Sequence, residues 1–277
     1  METIRVGVLG ATSLVGDKLL SQLQQAYTVV PFSRSMAPAR VDNSDASASI
    51  PYWISLMPIW ALSDYFETLS AHGAGRVVAL SSTSVFTKKT SKDAAEQELA
   101  ARFAEAEQRL IAWAVSQKVE VVILRPTLIY GSGRDRNVSE IARFIRRFGF
   151  FPVFGAATGL RQPIHAEDVA LACRHALEAK HLANCTYNIS GGETLTYRDM
   201  VVRIFEALGK RPRLITTPLW LFSIAVACIR VLPRFHDWSV AMAERMNQDL
   251  VFDHTAAQRD LNLPLRPFQL EMTDLPR

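Results

Sequence analysis

Cysteine is scarce in this chain of 277 residues: Cys173, Cys185 and Cys228 stand far apart, two of them inside apolar patterns. That usage excludes a disulfide framework and offers no metal-ligand spacing, so no metal site is expected and a reducing, cytoplasmic setting follows. The chain enters an apolar run at Ile4 with no room for a signal peptide before it. Internal repeats and low-complexity tracts are lacking. There is no basic stripe interleaved with aromatics, which argues against a nucleic-acid partner. The net charge is +4, and the basic residues are scattered except for Arg143, Arg146 and Arg147. At helical spacing these form either a solvated face or a seat for an anionic ligand or lipid headgroup.

Apolar residue is plentiful, at 49%, enough for one large α/β unit with a smaller cap. The stretch that organises the rest is Gly10-Ala-Thr-Ser-Leu-Val-Gly16, placed between the apolar run Ile4 to Leu9 and a helical pattern over Asp17 to Leu23. A strand, a tight glycine turn and a helix start put open backbone amides in front of a helix dipole, a seat for a pyrophosphate. The spacing is a weak signal by itself, because Ser13 stands in the middle position.

Tyr27-Thr-Val-Val-Pro-Phe reads as a second strand, bounded by Ser33-Arg34-Ser35. Where an acidic residue would take a ribose 2′-hydroxyl, Ser33 and Arg34 offer a hydroxyl and a guanidinium suited to a 2′-phosphate, so NADP is preferred to NAD. Residues 36–50 have loop composition, which leaves the third strand as a stub near Ala39 to Val41 or absent. Strands follow at Tyr52 to Met57, Arg76 to Phe86 and Val119 to Leu124, with helices at Leu62 to Leu69 and Asp93 to Ser116. That alternation predicts an α/β fold, a doubly wound parallel sheet shortened around the third strand.

Six motifs in order carry a resemblance: Val8-Leu-Gly-Ala-Thr-Ser-Leu-Val-Gly16, Leu80-Ser-Ser-Thr-Ser-Val-Phe86, Ala106-Glu-Gln-Arg-Leu110, Leu124-Arg-Pro-Thr-Leu-Ile-Tyr-Gly131, Gln162-Pro-Ile-His-Ala-Glu-Asp-Val-Ala170 and Tyr187-Asn-Ile-Ser-Gly-Gly192. The chain resembles the extended short-chain dehydrogenase/reductase family, which includes NAD(P)-dependent nucleotide-sugar epimerases and dehydratases. The resemblance implies a Rossmann-like unit over 1–277, with 1–170 mainly the dinucleotide-binding core and 171–277 mainly a small C-terminal substrate lobe that also contributes to the core.

It further implies that Gly10, Thr12, Ser13, Leu14, Val15 and Gly16 hold the pyrophosphate, that Leu56, Met57 and Pro58 border the adenosine half, and that Pro126 passes near the nicotinamide. Ser82 matches the family's catalytic serine. The family's Tyr and the Lys four residues after it fall, by registration on Glu107, at Leu99 and Phe103. No tyrosine lies anywhere between Ser82 and Tyr130. A serine hydroxyl alone transfers a proton poorly without an activating base. Two readings therefore stand: an atypical oxidoreductase, epimerase or dehydratase with another relay, for which Thr83, Ser84, Lys88 and Lys89 are nearby, or a dinucleotide-binding sensor or assembly protein that does not turn the cofactor over. His165 and Asp168 are read as loop ties.

In the second half, residues 137–148 predict a helix and Phe148 to Gly155 an aromatic loop. Related enzymes hold a nucleotide sugar here, which nominates Arg161 for a diphosphate, with Arg245 and Asn247 as further substrate contacts. Thr196 is a helix N-cap. Pro218 to Leu232 is apolar on every face. As a helix it would reach roughly 22 Å, short of the ~30 Å hydrocarbon core, and so would not span a membrane. It must be buried under the lobe, pair in a homodimer, or touch a membrane surface peripherally.

Overall fold

The computed structural model describes residues 4–32, 49–217 and 244–276. Strand β1 (Arg5–Leu9) leads through the glycine turn into α1 (Leu14–Leu23), whose buried Val15, Gly16, Leu19 and Leu23 share the face that lies on the sheet. Strand β2 (Thr28–Phe32) follows, then β3 (Tyr52–Ser55), a 3-10 turn at Ile59–Tyr65, α2 (Phe66–Ala71) and β4 (Arg76–Leu80). A short α3 (Ser84–Thr87) precedes the long α4 (Ala94–Gln117) and β5 (Glu120–Pro126). Then come β6 (Ile129–Tyr130), α5 (Val138–Phe148), β7 (Phe151–Phe154), β8 (Leu160–Arg161) and β9 (Ile164–His165). The chain continues with α6 (Ala166–Glu178), β10 (Cys185–Ile189), β11 (Leu195–Thr196), α7 (Tyr197–Ala207), β12 (Leu214–Thr217) and α8 (Thr255–Asp260).

Six strands form one parallel sheet in the order β10-β5-β4-β3-β1-β2. Such a sheet must be covered on both faces, which explains the near-continuous apolar runs Val77 to Leu80 and Val121 to Leu124. One cover is built by α1 and α6 over Val6, Val8, Ile54, Val78 and Val122. The other, from the 3-10 turn, α2 and α4, packs Leu62, Leu69 and Leu110 over Leu9, Trp53, Val77 and Ile123. A third cluster, of α5, α7 and β7 with Met246, Phe268 and Leu275, is the core of the smaller lobe.

Strand β1 has β2 on one side and β3 on the other. The winding direction reverses there, and in open parallel sheets the crevice beyond that point is where ligands sit. Strand β2 is the sheet edge among the described residues, and the proposed stub at Ala39 to Val41 lies outside them, as do Ser33, Arg34, Cys228 and the apolar run 218–232.

Two expectations change. Phe148 to Gly155 is not all loop: Phe151–Phe154 is a strand that pairs in parallel with Leu214–Thr217, a partner some sixty residues away that no local pattern announces. The helix expected over 62–69 divides into the 3-10 turn and α2, with Pro58 at the N-cap position where the turn starts. Arg76 is also buried, at 2% exposure, in the first position of β4. Its Nε and Nη2 donate to the carbonyl of Ala176, its Nη2 also to those of Ala179 and Leu182, and its Nη1 pairs with Glu120 at 2.5 Å. The guanidinium thus closes the C-terminal end of α6, where a cation is favoured by the helix dipole.

Candidate dinucleotide and substrate site

The turn has the conformation its sequence calls for. Gly10 has φ +79, a left-handed value that a side chain would strain, and a Cβ there would meet the main chain of Leu56 and Met57 at 3.1–3.2 Å. Gly16 faces the opposite constraint, since its Cβ would lie 2.2 Å from the Ala11 carbonyl oxygen, so only glycine lets α1 sit this close to the strand end. Leu56 N–H donates to the Leu9 carbonyl at 2.9 Å. The segment Leu56-Met57-Pro58 is therefore brought directly against the turn.

Ser13 has φ −72 and ψ 168, extended values that need no glycine. Its Oγ accepts from the Gly16 amide at 3.1 Å, making it the N-cap of α1. One amide of the first turn is thus already spent. Those of Leu14 and Val15 have no partner among the described residues and face outward from the helix start. A contact that nothing in the sequence signals closes the region from the far side: Arg134, on the loop after β6, pairs with Asp17 in the first turn of α1.

At the C-terminal end of β4, Ser81 N–H donates to the Leu124 carbonyl at 2.7 Å and Thr83 N–H to the Pro126 carbonyl at 3.2 Å. These bonds fix Ser82 beside Pro126. The Ser82 hydroxyl donates to Ser84 Oγ at 3.0 Å and accepts the Ser84 amide at 3.1 Å, so among the described residues its hydrogen-bond partners are another serine's hydroxyl and amide. Ser81 points elsewhere, into a buried network in which Glu107 accepts from Ser81 Oγ at 2.5 Å and from both Nε and Nη2 of Arg125.

Leu99 and Phe103 share the half-buried face of α4, about two turns and one turn before Glu107. Phe103 packs edge-on against Trp60 at 5.1 Å, and Arg102 lies over the same indole at 4.5 Å. The position of Phe103 is thus taken up by an apolar contact. Lys88 pairs with Glu96 at 3.8 Å. Burial holds its amine below the usual lysine range and nearby Arg245 adds to this, against the opposing pull of Glu96.

The three nominated substrate residues part company. Arg245 and Asn247 line a cleft of about 240 Å³ together with Thr87, Ser91, Glu96 and Gln248, at the seam between the start of α4 and the smaller lobe. Arg245 pairs there with Glu96. The Asn247 amide is committed to the main chain, donating to the Phe154 carbonyl at 2.8 Å and accepting from Ala157 at 2.9 Å. Arg161 is 5% exposed, lies over the Tyr197 ring, and donates to the carbonyls of Leu160, Gln248 and Arg245. Burial lowers its pKa to about 10. Its guanidinium therefore holds the 245–248 segment in place.

His165 and Asp168 act as ties. The His165 Nδ1 accepts from the Glu167 amide at 3.2 Å, which leaves the ring proton on Nε2, 3.0 Å from Asp274 Oδ1. Asp168 pairs with Arg266 at 2.8 Å. Among the described residues no cluster of three or more His, Cys, Asp or Glu could hold a metal, and no helix is long and apolar enough to cross a membrane.

The profile of the NAD dependent epimerase/dehydratase family matches residues 63–190, which run from the 3-10 turn through the Ser82 segment to the end of β10. UDP-glucose 4-epimerase of Vibrio cholerae is 25% identical over 164 residues, covering 58% of this chain and 47% of the relative. NADH dehydrogenase (ubiquinone) 1 alpha subcomplex subunit 9, a mitochondrial protein of Arabidopsis thaliana, is 29% identical over 109 residues, covering 39% of this chain and 26% of its own length. The chain spans less than half the length of these curated relatives. The solved structure of MoeE5 in complex with UDP-glucose and NAD superposes with a TM-score of 0.70 at 20% identity, covering 95% of this chain and 94% of that one. The sheet order and the two-sided helical cover are thus those of an epimerase/dehydratase fold. The Gly10 turn precedes the stretch that the family profile matches.

Proposed function

We propose that this epimerase/dehydratase-family chain binds NAD(P) across the C-terminal ends of its strands, with the pyrophosphate on the Gly10–Gly16 turn. The observation that carries the reading is the pair of open amides, Leu14 and Val15, at the start of a helix that Gly16 alone allows to approach the sheet. Leu56 to Pro58 would border the adenosine, Pro126 and Ser82 would lie at the nicotinamide end, and Ser33 with Arg34 would meet a 2′-phosphate, which favours NADP. Bound there, the nicotinamide supplies a hydride acceptor or donor. The chain's part is to orient a substrate oxygen through the Ser82 and Ser84 hydroxyls and to seat a small polar, nucleotide-sugar-like substrate along the cleft that Arg245 and Glu96 close. Arg161 supports that cleft from behind.

A second reading is that the dinucleotide is bound and not turned over, in a sensor or assembly role. It draws support from Leu99 and Phe103 at the positions of the family's Tyr and Lys, and from the likeness to a subunit of a respiratory complex. Fluorescence titration with NADPH and NADH tests the shared premise. Saturable binding of NADPH, weakened by Arg34→Ala while NADH binding is unchanged, supports both readings, and failure to bind either nucleotide overturns both. Single-turnover reduction of bound NADP+ by UDP-glucose, abolished in Ser82→Ala, separates the enzyme from the silent binder.

A further inference from the structure

Away from the dinucleotide turn, the end of the smaller lobe collects charge and aromatic surface that the proposed function does not use. Helix α5 ends in Arg146-Arg147-Phe148, and the turn between α7 and β12 carries Lys210, Arg211 and Arg213. The two meet: Lys210 Nζ lies 3.4–3.5 Å from the carbonyls of Ile145 and Arg146, and Phe151 N–H donates to the Arg213 carbonyl at 2.9 Å. Arg147, Lys210, Arg211 and Arg213 are exposed, and none forms an ion pair with a described residue. Arg146 donates to the Pro276 carbonyl. Many other described cations pair with carboxylates, as at Arg143–Glu140, Arg174–Glu178 and Arg203–Glu193.

Among these charges stand large apolar side chains that the lobe leaves uncovered. Phe148 is 50% exposed under the Arg147 guanidinium, and Ile215 is 50% exposed on β12 next to Pro152. Phe148 and Phe150 pack on Phe144 at 4.6 and 5.7 Å, which holds the aromatic rim in place. Unpaired cations beside exposed aromatic and β-branched side chains fit the boundary between anionic headgroups and acyl chains, where aromatic rings enter and guanidinium groups stay with the phosphates. From Thr217 the sequence runs straight into the uncharged apolar stretch 218–229.

We propose that this end of the lobe docks on an anionic bilayer surface through Phe148, Ile215, Arg147 and the Lys210 to Arg213 turn. The proposal is independent of dinucleotide binding. Cosedimentation with vesicles of phosphatidylcholine alone and with about 30% phosphatidylserine tests it. The full chain is expected to bind the second and not the first, and to be released at about 0.5 M salt, where the Debye length is about 4 Å, roughly half its physiological value. Arg147→Gln/Arg211→Gln removes two interfacial charges and should lower the partition coefficient about thirtyfold, at about 1 kcal/mol per cation. Phe148→Ser should lower it by roughly tenfold through lost apolar insertion. Arg109→Gln/Arg174→Gln removes the same charge from α4 and α6 and should leave it within about twofold. If the first double variant does not fold by circular dichroism, Arg213→Gln with Phe148→Ser asks the same question. No preference for phosphatidylserine, equal losses in the α4/α6 control, or tighter binding to a duplex oligonucleotide than to the vesicles would overturn the proposal.

Discussion

Gly16→Ala is the substitution that most directly tests how the dinucleotide turn is built. The added Cβ would lie 2.2 Å from the Ala11 oxygen, 2.6 Å from the Ala11 carbonyl carbon and 2.9 Å from the Gly10 oxygen. A comfortable carbon–oxygen contact is about 3.3 Å, so the start of α1 must withdraw by roughly 1 Å. The obstructing atoms are main chain and cannot rotate away. Against the clash works the better helix propensity of alanine, worth about 1 kcal/mol. Overpacking costs about 1–3 kcal/mol and more where the neighbours are rigid, so the net is a loss of about 1–2 kcal/mol. A chain of this size should then melt about 2–8 °C lower, at roughly 2–4 °C per kcal/mol.

The effect on ligand should exceed the effect on stability. A withdrawal of that size carries the Leu14 and Val15 amides out of hydrogen-bond range of a phosphate seated on the turn, and NADPH affinity should fall at least about tenfold. Gly149→Ala is the control. Gly149, unlike Gly16, has a left-handed φ, +75, but its Cβ would meet nothing within 4 Å. It should lose about 1 kcal/mol from backbone strain alone and bind NADPH as the parent does. Differential scanning fluorimetry and nucleotide titration on the three proteins decide the matter. A Gly16→Ala protein that melts and binds like the parent would refute the claim that close approach at this residue shapes the site.

Two further outcomes follow from buried charges. Arg76→Met strips the end of α6 of its cation and leaves buried carbonyls without donors, which should cost about 3–5 kcal/mol in urea unfolding. Little change would mean that water replaces the guanidinium. Burial works to raise the Asp274 pKa, but the His165 hydrogen bond and the amides of Glu271 and Ser132 prevail and hold it below the usual value of 3.8. A depressed carboxyl contributes stability that is present above its unfolded pKa and is lost as pH falls through the folded one. Thermal stability of the parent should therefore decline below about pH 4, and Asp274→Asn should be less stable at neutral pH with a shallower decline. A variant with the parent's acid limb would remove Asp274 from the account.

The sequence alone determined the doubly wound parallel sheet, the glycine turn and the segments that flank it, because each is written in adjacent residues. Short apolar runs that alternate with helical patterns read as strands buried on both faces, and Gly10 and Gly16 bracket a turn of fixed length. It also determined the absence of a tyrosine between Ser82 and Tyr130, which no folding can reverse. Tertiary structure decided what depends on distant partners. Arg161, nominated for a phosphate, is enclosed by carbonyls more than eighty residues away, and Arg245 and Asn247, which both line the cleft, differ because Arg245 pairs with Glu96 there while the Asn247 amide is spent on the main chain of Phe154 and Ala157. Phe151–Phe154 becomes a strand only because Leu214–Thr217 returns beside it. Ser13 departs from glycine at no conformational cost, since the fold gives it an extended backbone and a cap to make. Pairings across the chain depend on where the lobe closes on the core, and that closure is a property of packed volume and buried charge, which a local pattern does not encode.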